Sequence, residues 1–336
     1  MARYILRRLA LIPLLLLGVI LLVFVLTHLV PADPARLFAG PHAPPEQVET
    51  LRREFGLDRP LPQQLGRYLV RLTRGDFGIS LRTQRPVLDD LREYFPATLE
   101  LTIASVLTTT ILGILLGTVA AARRGSLIDL SAQMVSLTGL SFPIFFFGLL
   151  LQLIFSRWLE WLPLAGRLPI DASPPGHVTG LYVIDALMAG DLGTAGLALT
   201  HLALPTLTLT MASLGPITRI TRTSVLEALA QDYVKTARAK GLAPRRVLIG
   251  HVLRNAMIPV VTVLGLSAGG LLGGVFLAEL IFAWPGLGLY SVEGIVSFDY
   301  WAIMATAMVT TVIFVLINLL VDAAYGVIDP RIRYEG

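Results

Sequence analysis

Residues 232–259 read DYVKTARAKGLAPRRVLIGHVLRNAMIP and lie between two long apolar stretches of the chain. The segment has one acid, Asp232, and basic residues at positions 235, 238, 240, 245, 246 and 254. So many charges exclude it from the hydrocarbon core of a bilayer. A short helical pattern stops at Gly241, Pro244 follows, and a second helix is predicted from Arg245. A folded basic hairpin of this kind predicts a docking surface for a cytoplasmic partner.

The composition around this segment is that of an integral membrane protein. Of the 336 residues, 54% are hydrophobic and only 15% are charged, whereas soluble proteins average about 25% charged residues. The chain has no cysteine, which excludes disulfides, thiolate metal sites and cysteine catalysis.

Six uncharged stretches are long enough to cross a bilayer, which takes about 20 helical residues. Helix is the expected state, because a backbone in lipid must satisfy its own hydrogen bonds. The first stretch is longer than the apolar part of a signal peptide, about 7–15 residues, so it is expected to be retained. The fold class is therefore an all-α integral membrane protein with six transmembrane helices. The stretches are 9–30, 101–122, 130–156, 192–218, 255–278 and 300–321.

The distribution of arginine and lysine predicts that both termini are cytoplasmic. Basic residues outnumber acids in the N-terminal tail and in the 219–254 loop, whereas 279–299 has no Lys or Arg. The expected organisation has three parts. Residues 1–30 form the N-tail and first span, 31–96 an extracytoplasmic region, and 97–336 the membrane core with a cytoplasmic loop at about 223–255.

The region between the first two spans carries two amphipathic patterns, around 48–55 and 64–72. We expect two short helices there, acting either as a structural cap or in substrate contact. Two shorter apolar pieces, 158–170 and 180–190, are broken by Pro, Gly or charge and are predicted to be interfacial or extramembrane.

Several chemistries are absent from the sequence. No G-x-x-x-x-G-K-[ST] loop is present, and residues 139–143, GLSFP, lack the second glycine of a nucleophile elbow. The histidines show no metal-site spacing. We therefore expect no catalytic residue, metal or cofactor in this chain. The acids Glu100, Glu279 and Asp322 lie at the edges of apolar stretches, which weighs against the alternative of an ion-coupled secondary transporter. The energy source is expected to lie in another subunit.

A series of motifs along the whole chain resembles one family, the inner-membrane permeases of binding-protein-dependent ABC importers. Within it the chain is most similar to the peptide/nickel group and its DppB-type dipeptide permeases. The motifs are ILRRL at 5–9, PADP at 31–34, GLDRP at 56–60, GDFGIS at 75–80, FPATLEL at 95–101, DYVKTARAKGL at 232–242, HVLRNAMIP at 251–259, ELIFAWPGLG at 279–288 and YGVIDPRIR at 325–333.

The resemblance implies a multi-pass permease of the bacterial inner membrane that works by alternating access. It implies a sister permease, two cytoplasmic ATPase subunits that bind ATP and Mg, an extracytoplasmic binding protein, and contact with membrane lipid but not with nucleic acid. Dipeptides or short peptides are the implied cargo. A nickel chelate, haem or glutathione is the alternative.

The resemblance also implies an ATPase-coupling role for part of the basic segment. Against the general importer loop (E-A-A, three residues, G, nine residues, I-x-L-P), only Ala237, Gly241 and Leu253 fit. The alternative is that the basic residues only set topology and contact anionic lipid. Ser224 and Glu227 are either a capping box or the polar end of the fourth span. The expected coupling residues are Asp232, Tyr233, Thr236, Ala237, Arg238, Ala239, Lys240, Gly241 and Leu242.

A second candidate region follows the fifth span. It is expected to form an outer gate or line the translocation path, with Glu279 contacting a peptide amine, or else to be a re-entrant turn that stabilises the bundle. Its residues are Glu279, Phe282, Trp284, Pro285, Gly286 and Gly288. Within the fifth span, Gly265, Gly269 and Gly273 recur every four residues, as do Gly270 and Gly274, and predict a helix-packing face.

Overall fold

The computed structural model describes residues 2–29, 33–40 and 42–328. The expected cytoplasmic C-terminal residues 329–336 and part of the PADP motif lie outside this range. Apart from one isolated bridge between Ile79 and Pro86, the described residues form helices and loops. The α-helices are α1 (Ala2–Leu29), α2 (Pro34–Ala39), α3 (Pro45–Glu54), α4 (Leu61–Thr73), α5 (Val87–Ala122), α6 (Leu127–Ser141), α7 (Ile144–Leu151), α8 (Tyr182–Met188), α9 (Leu192–Leu229), α10 (Asp232–Ala239), α11 (Pro244–Val247), α12 (Leu253–Ile281), α13 (Leu287–Val296) and α14 (Tyr300–Ile328), with π-helical turns at Gln152–Trp158 and Leu248–Val252.

The all-helical class is confirmed, and the predicted third span, 130–156, is a bent pair of helices in the structure. Among the described residues, five helices are long and apolar enough to cross a membrane, or six if one bent pair counts as a span. That pair, Leu127–Gly139 and Ile144–Trp158, bends by 109°. Phe142 is extended at the break, with φ −106° and ψ 139°. The cause is Pro143, because its ring disfavours a helical residue before it and it has no N–H to donate.

Two of the predicted spans extend beyond their uncharged stretches. Helix α5 begins at Val87, well before residue 101, and its first turn carries Asp89 and Asp90, which the helix dipole favours at an N-terminus. Helix α9 continues to Leu229. Ser224 lies buried inside α9, so the predicted capping box is wrong, since that motif needs a helix start.

The chain packs as two compact units. The larger unit consists mainly of Leu99–Trp284, and the smaller of Arg8–Thr98 with Pro285–Ile313. Within the larger unit, α9 packs against α6, α7, α8 and α12. Glycines allow the close approach. A Cβ on Gly113 of α5 would lie 2.5 Å from the Ile217 side chain, and one on Gly139 of α6 would lie 1.8 Å from the Met211 carbonyl oxygen.

The smaller unit contains the two helices predicted from the amphipathic patterns, α3 and α4, and also the unpredicted α2. Leu65, Leu69 and Leu72 of α4 pack against a buried cluster that includes Tyr68 and Met304. Asp299 is fully buried and connects the 80–82 loop to α14. It accepts hydrogen bonds from Ser80 Oγ at 2.5 Å, from Arg82 N at 3.2 Å and from Ala302 N at 3.2 Å.

Candidate functional site

Helix α10 forms where the basic segment predicted a helix, at Asp232–Ala239. It has one buried face, with Val234 and Ala237, whereas its other residues are exposed. The exposed residues include the expected coupling residues Asp232, Tyr233, Thr236, Arg238 and Ala239, and Lys240, which caps the helix, is exposed as well. The helix therefore presents a charged face outward and packs against the rest of the protein through two small apolar side chains.

The end of α10 is a Schellman turn, as the glycine signal predicted. Gly241 N donates to Arg238 O at 2.9 Å and Leu242 N donates to Ala237 O at 3.3 Å. Gly241 has φ +79°, a left-handed conformation that glycine adopts without steric cost. Pro244 then occupies the first turn of α11, one residue before the predicted start.

The buried face of α10 joins the ends of three long helices. Val234 and Ala237 belong to one apolar cluster with Ala121 at the end of α5, Val225 of α9 and Ala256 of α12. Leu242, partly buried, packs against the same cluster. A displacement of α10 would therefore act on three membrane helices at once, because closely packed side chains transmit strain.

An ion pair missed in the sequence lies near this cluster along α9. Arg222 Nε and Nη2 lie 2.7 and 2.8 Å from Asp129 Oδ1 and Oδ2. Asp129 also accepts from Gly125 N at 3.0 Å and from Gln133 Nε2 at 2.8 Å. The sequence around Asp129 contains a local signal for a helix start, because Ser126 caps α6 by accepting a hydrogen bond from Asp129 N. No such local signal indicates Arg222, which lies 93 residues later.

Three residues of the predicted gate, Glu279, Phe282 and Trp284, lie in the larger unit and are 0–1% exposed. Backbone hydrogen bonds connect the turn after α12 both to the end of α12 and to the 159–181 loop. Trp284 N donates to Glu279 O at 2.8 Å, and Gly166 N donates to Phe282 O at 2.9 Å. This burial supports the alternative of a stabilising turn, and the gate role stays a prediction.

A second unpredicted ion pair lies beside this turn. Arg167 Nη2 is 2.5 Å from Glu100 Oε2, and both side chains are buried. The Arg167 guanidinium lies 3.5 Å from the centre of the Tyr182 ring and 5.5 Å from that of Trp284. Glu100 Oε1 accepts from Val183 N at 2.9 Å. The pair fastens the 159–181 loop to α5, and the predicted extramembrane piece 180–190 contains the short helix α8, which is not among the candidate spans.

The other three predicted gate residues, Pro285, Gly286 and Gly288, lie in the smaller unit. Gly286 is the N-cap residue of α13, and Gly288 is buried in its first turn. Leu287 N donates to Thr98 Oγ1 at 2.7 Å. These residues form the tight start of a helix that packs against α5.

The predicted glycine packing face is only partly used within the chain. A Cβ on Gly269 would lie 2.9 Å from the Phe314 ring, and one on Gly274 would lie 3.2 Å from Ile144 and Leu209 side-chain atoms. Gly265 is buried. By contrast, a Cβ on Gly270 or Gly273 would meet no atom within 4 Å.

Comparisons with known proteins agree along the whole length. The family model described as "Binding-protein-dependent transport system inner membrane component" matches residues 113–334, and that described as "Binding-prot-dependent transport system membrane comp, N-term" matches residues 1–102. The chain is 45% identical over 319 residues to the probable D,D-dipeptide transport system permease protein DdpB of Escherichia coli K12, covering 95% of this chain and 94% of the relative.

Two further relatives match over their full lengths. The chain is 42% identical over 340 residues to the dipeptide transport system permease protein DppB of Escherichia coli K12, covering 100% of each. It is 41% identical over 336 residues to the glutathione transport system permease protein GsiC of Salmonella paratyphi A, again covering 100% of each. A solved structure, the inward-facing MetNI methionine ABC transporter in its CY5 native crystal form, has the same fold. It covers 69% of this chain and 93% of that one, with a TM-score of 0.50 and 17% identity.

Proposed function

We propose a transport function for this chain, which belongs to the family of binding-protein-dependent transport system inner membrane components. The chain is a permease subunit of a bacterial ABC importer and a multi-pass protein of the inner membrane, and ATP is hydrolysed by partner subunits. The observation that carries this conclusion is the match of the two family models to nearly all of the sequence.

We propose that the cargo is a dipeptide. The support is the full-length similarity to relatives named for dipeptide and D,D-dipeptide transport, at 42% and 45% identity. Glutathione is the second candidate, because a permease named for it is 41% identical. The assembly we propose contains this chain, a sister permease, two ATPase subunits and an extracytoplasmic binding protein, with both termini of this chain in the cytoplasm.

We propose that α10 docks on an ATPase subunit and that Glu279, Phe282 and Trp284 help to close the outer end of the path. The exposed Tyr233 and Thr236 of α10 and its C-cap residue Lys240 would form the contact, whereas Ala237 would hold the helix in place. Arg238, Lys240 and their basic neighbours favour an acidic groove on the ATPase, since opposite charges across an interface direct docking.

The test of function is uptake by proteoliposomes that contain the complete importer with its binding protein. Radiolabelled dialanine should accumulate only with ATP on the side of the ATPase subunits, and uptake should persist when ionophores collapse the ion gradients. Uptake driven by a gradient without ATP would contradict the proposal. Competition separates the cargoes: excess unlabelled dipeptide should abolish the signal, whereas glutathione should leave it unchanged.

A further inference from the structure

A cavity of about 560 Å³ lies in the smaller unit, apart from every residue discussed so far as a coupling or gate residue. Its walls come from the C-terminal end of α1, from α4, from the first turns of α14 and from the turn that follows α3. The candidate spans are Leu11–Leu29 in α1 and Tyr300–Leu319 in α14. The cavity therefore lies at the C-terminal end of one candidate span and the N-terminal end of another.

Several aromatic side chains line this cavity, and contacts with one another hold them in place. The ring of His28 stacks on that of Tyr300 at 5.4 Å, and the ring of Tyr68 lies 5.4 Å from that of Trp301. His28 is already engaged, with Nδ1 2.8 Å from Phe24 O and Nε2 3.3 Å from Gln64 Oε1. Such aromatic residues are typical of the boundary between water and lipid.

Some charged residues that line the cavity have an ion-pair partner and others do not. Arg71 forms two hydrogen bonds to Asp76, at 2.7 and 3.1 Å. Arg67 and Glu54 also line the cavity, and neither has an ion-pair partner among the described residues. The Arg67 guanidinium lies against the turn at Gly56, where an added Cβ would come within 2.9 Å of Nη1. One cation and one anion without an ion-pair partner thus line the same cavity as the aromatic rings.

We propose that this cavity binds a zwitterionic phospholipid. The phosphate pairs with Arg67, since guanidinium groups match phosphate oxygens, and the head-group ammonium lies near Glu54 and the aromatic rings. The acyl chains continue along exposed apolar side chains at the same level, such as Val25 and Leu29 of α1 and Val70 of α4. The position at the end of two spans favours a lipid over a free peptide, which would have the same two charges.

Two residues offer matched pairs of variants. Gly66 of α4 lines the cavity, and a Cβ added there meets no atom within 4 Å. Gly66→Trp therefore fills the cavity, and Gly18→Trp, at another helical glycine with open space, is its control. Arg67→Gln removes the phosphate ligand, and Arg59→Gln changes an exposed arginine that does not line the cavity.

The experiment is native mass spectrometry of the full-length chain in detergent, titrated with palmitoyl-oleoyl phosphatidylethanolamine, the corresponding phosphatidylglycerol, or dialanine. We expect the affinity for phosphatidylethanolamine to fall about tenfold in Arg67→Gln, which corresponds to the loss of one charge-assisted hydrogen bond. A fall of about the same size is expected in Gly66→Trp. The control variants Arg59→Gln and Gly18→Trp should keep the wild-type affinity. Glu54→Gln should remove the preference for phosphatidylethanolamine over phosphatidylglycerol.

Three results would overturn the proposal. The first is wild-type lipid affinity in both Arg67→Gln and Gly66→Trp. The second is dialanine binding that these variants abolish while lipid binding stays constant. The third is an unchanged head-group preference in Glu54→Gln. Size-exclusion profiles show whether each variant folds. If Gly66→Trp does not fold, the lipid affinity of Arg67→Gln alone decides the question.

Discussion

Arg222 in α9 binds both carboxylate oxygens of Asp129 in α6, through Nε at 2.7 Å and Nη2 at 2.8 Å. The Asp129 side chain is 5% exposed and that of Arg222 is 23% exposed. The two groups therefore depend on one another for charge compensation, and a planar guanidinium fits the carboxylate better than an ammonium group does.

We expect Asp129→Asn to lower the free energy of unfolding by about 3 kcal/mol, because it leaves Arg222 without its carboxylate partner in a mostly buried position. Thermal unfolding of the purified chain measures the change. Glu93→Gln is the control. It breaks an exposed pair with Arg85 and should cost less than about 1 kcal/mol. Equal effects of the two variants would contradict the expectation.

Gly139→Ala should prevent α6 from packing on α9. The new Cβ would lie 1.8 Å from the backbone oxygen of Met211, so a helix must move, at a cost of roughly 1–3 kcal/mol or more. Gly270→Ala is the matched change in open space, where alanine should stabilise a helix by about 0.5–1 kcal/mol. Fluorescence-detected size exclusion and thermal unfolding distinguish them, and a stable Gly139→Ala protein would refute the close contact.

Gly241→Pro should leave membrane insertion intact and abolish the stimulation of ATP hydrolysis by the binding protein. Proline holds φ near about −65°, whereas Gly241 has φ +79°, so the Schellman turn and the position of α10 are lost. Gly241→Asn should retain most of the stimulation, because asparagine tolerates the left-handed conformation. Normal stimulation in the proline variant would remove α10 from the coupling role.

Asp185 should make the fold sensitive to acid. Burial acts to raise its pKa, but hydrogen bonds from the Thr179 hydroxyl and from three backbone N–H groups of residues 178–180 outweigh it, so the pKa is below the ordinary value of 3.8. A lowered pKa contributes stability above the unfolded-state value, and this is lost as pH falls through the folded-state value.

The measurement for Asp185 is the melting temperature between pH 7 and pH 3. The wild type should lose stability below about pH 4, near the ordinary pKa of an aspartate. Asp185→Asn should be less stable than the wild type at pH 7 and should show a smaller loss on acidification. Parallel curves for the two proteins would show that other carboxylates control acid unfolding.

Local signals predicted most of what lies between residues 232 and 244. Gly241 and Pro244 mark the end of one helix and the start of the next within a few residues, so no distant contact was needed. The apolar character of 130–156 predicted membrane residence, but composition does not distinguish a straight helix from a bent one. Pro143 is the local feature that marks the bend, because proline disfavours a helical residue before it and has no N–H to donate.

The ion pairs could not be predicted, because their partners are distant in the sequence. Arg167 and Glu100 are 67 residues apart, and Arg222 and Asp129 are 93 residues apart. Asp129 lies in the first turn of α6, where an acid is expected for local reasons, whereas Glu100 lies well inside α5. Which arginine pairs with each acid depends on how the loop 159–181 and α9 pack against these helices.

The bend before Ile144 determines whether the chain crosses the membrane an odd or an even number of times. An odd number of crossings puts the two ends of a polypeptide on opposite faces of a bilayer, and an even number puts them on the same face. Among the described residues five single helices are long and apolar enough to span, so the count becomes even only if the bent pair advances the chain through the bilayer once. Cytoplasmic placement of both termini thus requires Leu127–Gly139 and Ile144–Trp158 to act together as one crossing, with Pro143 inside it.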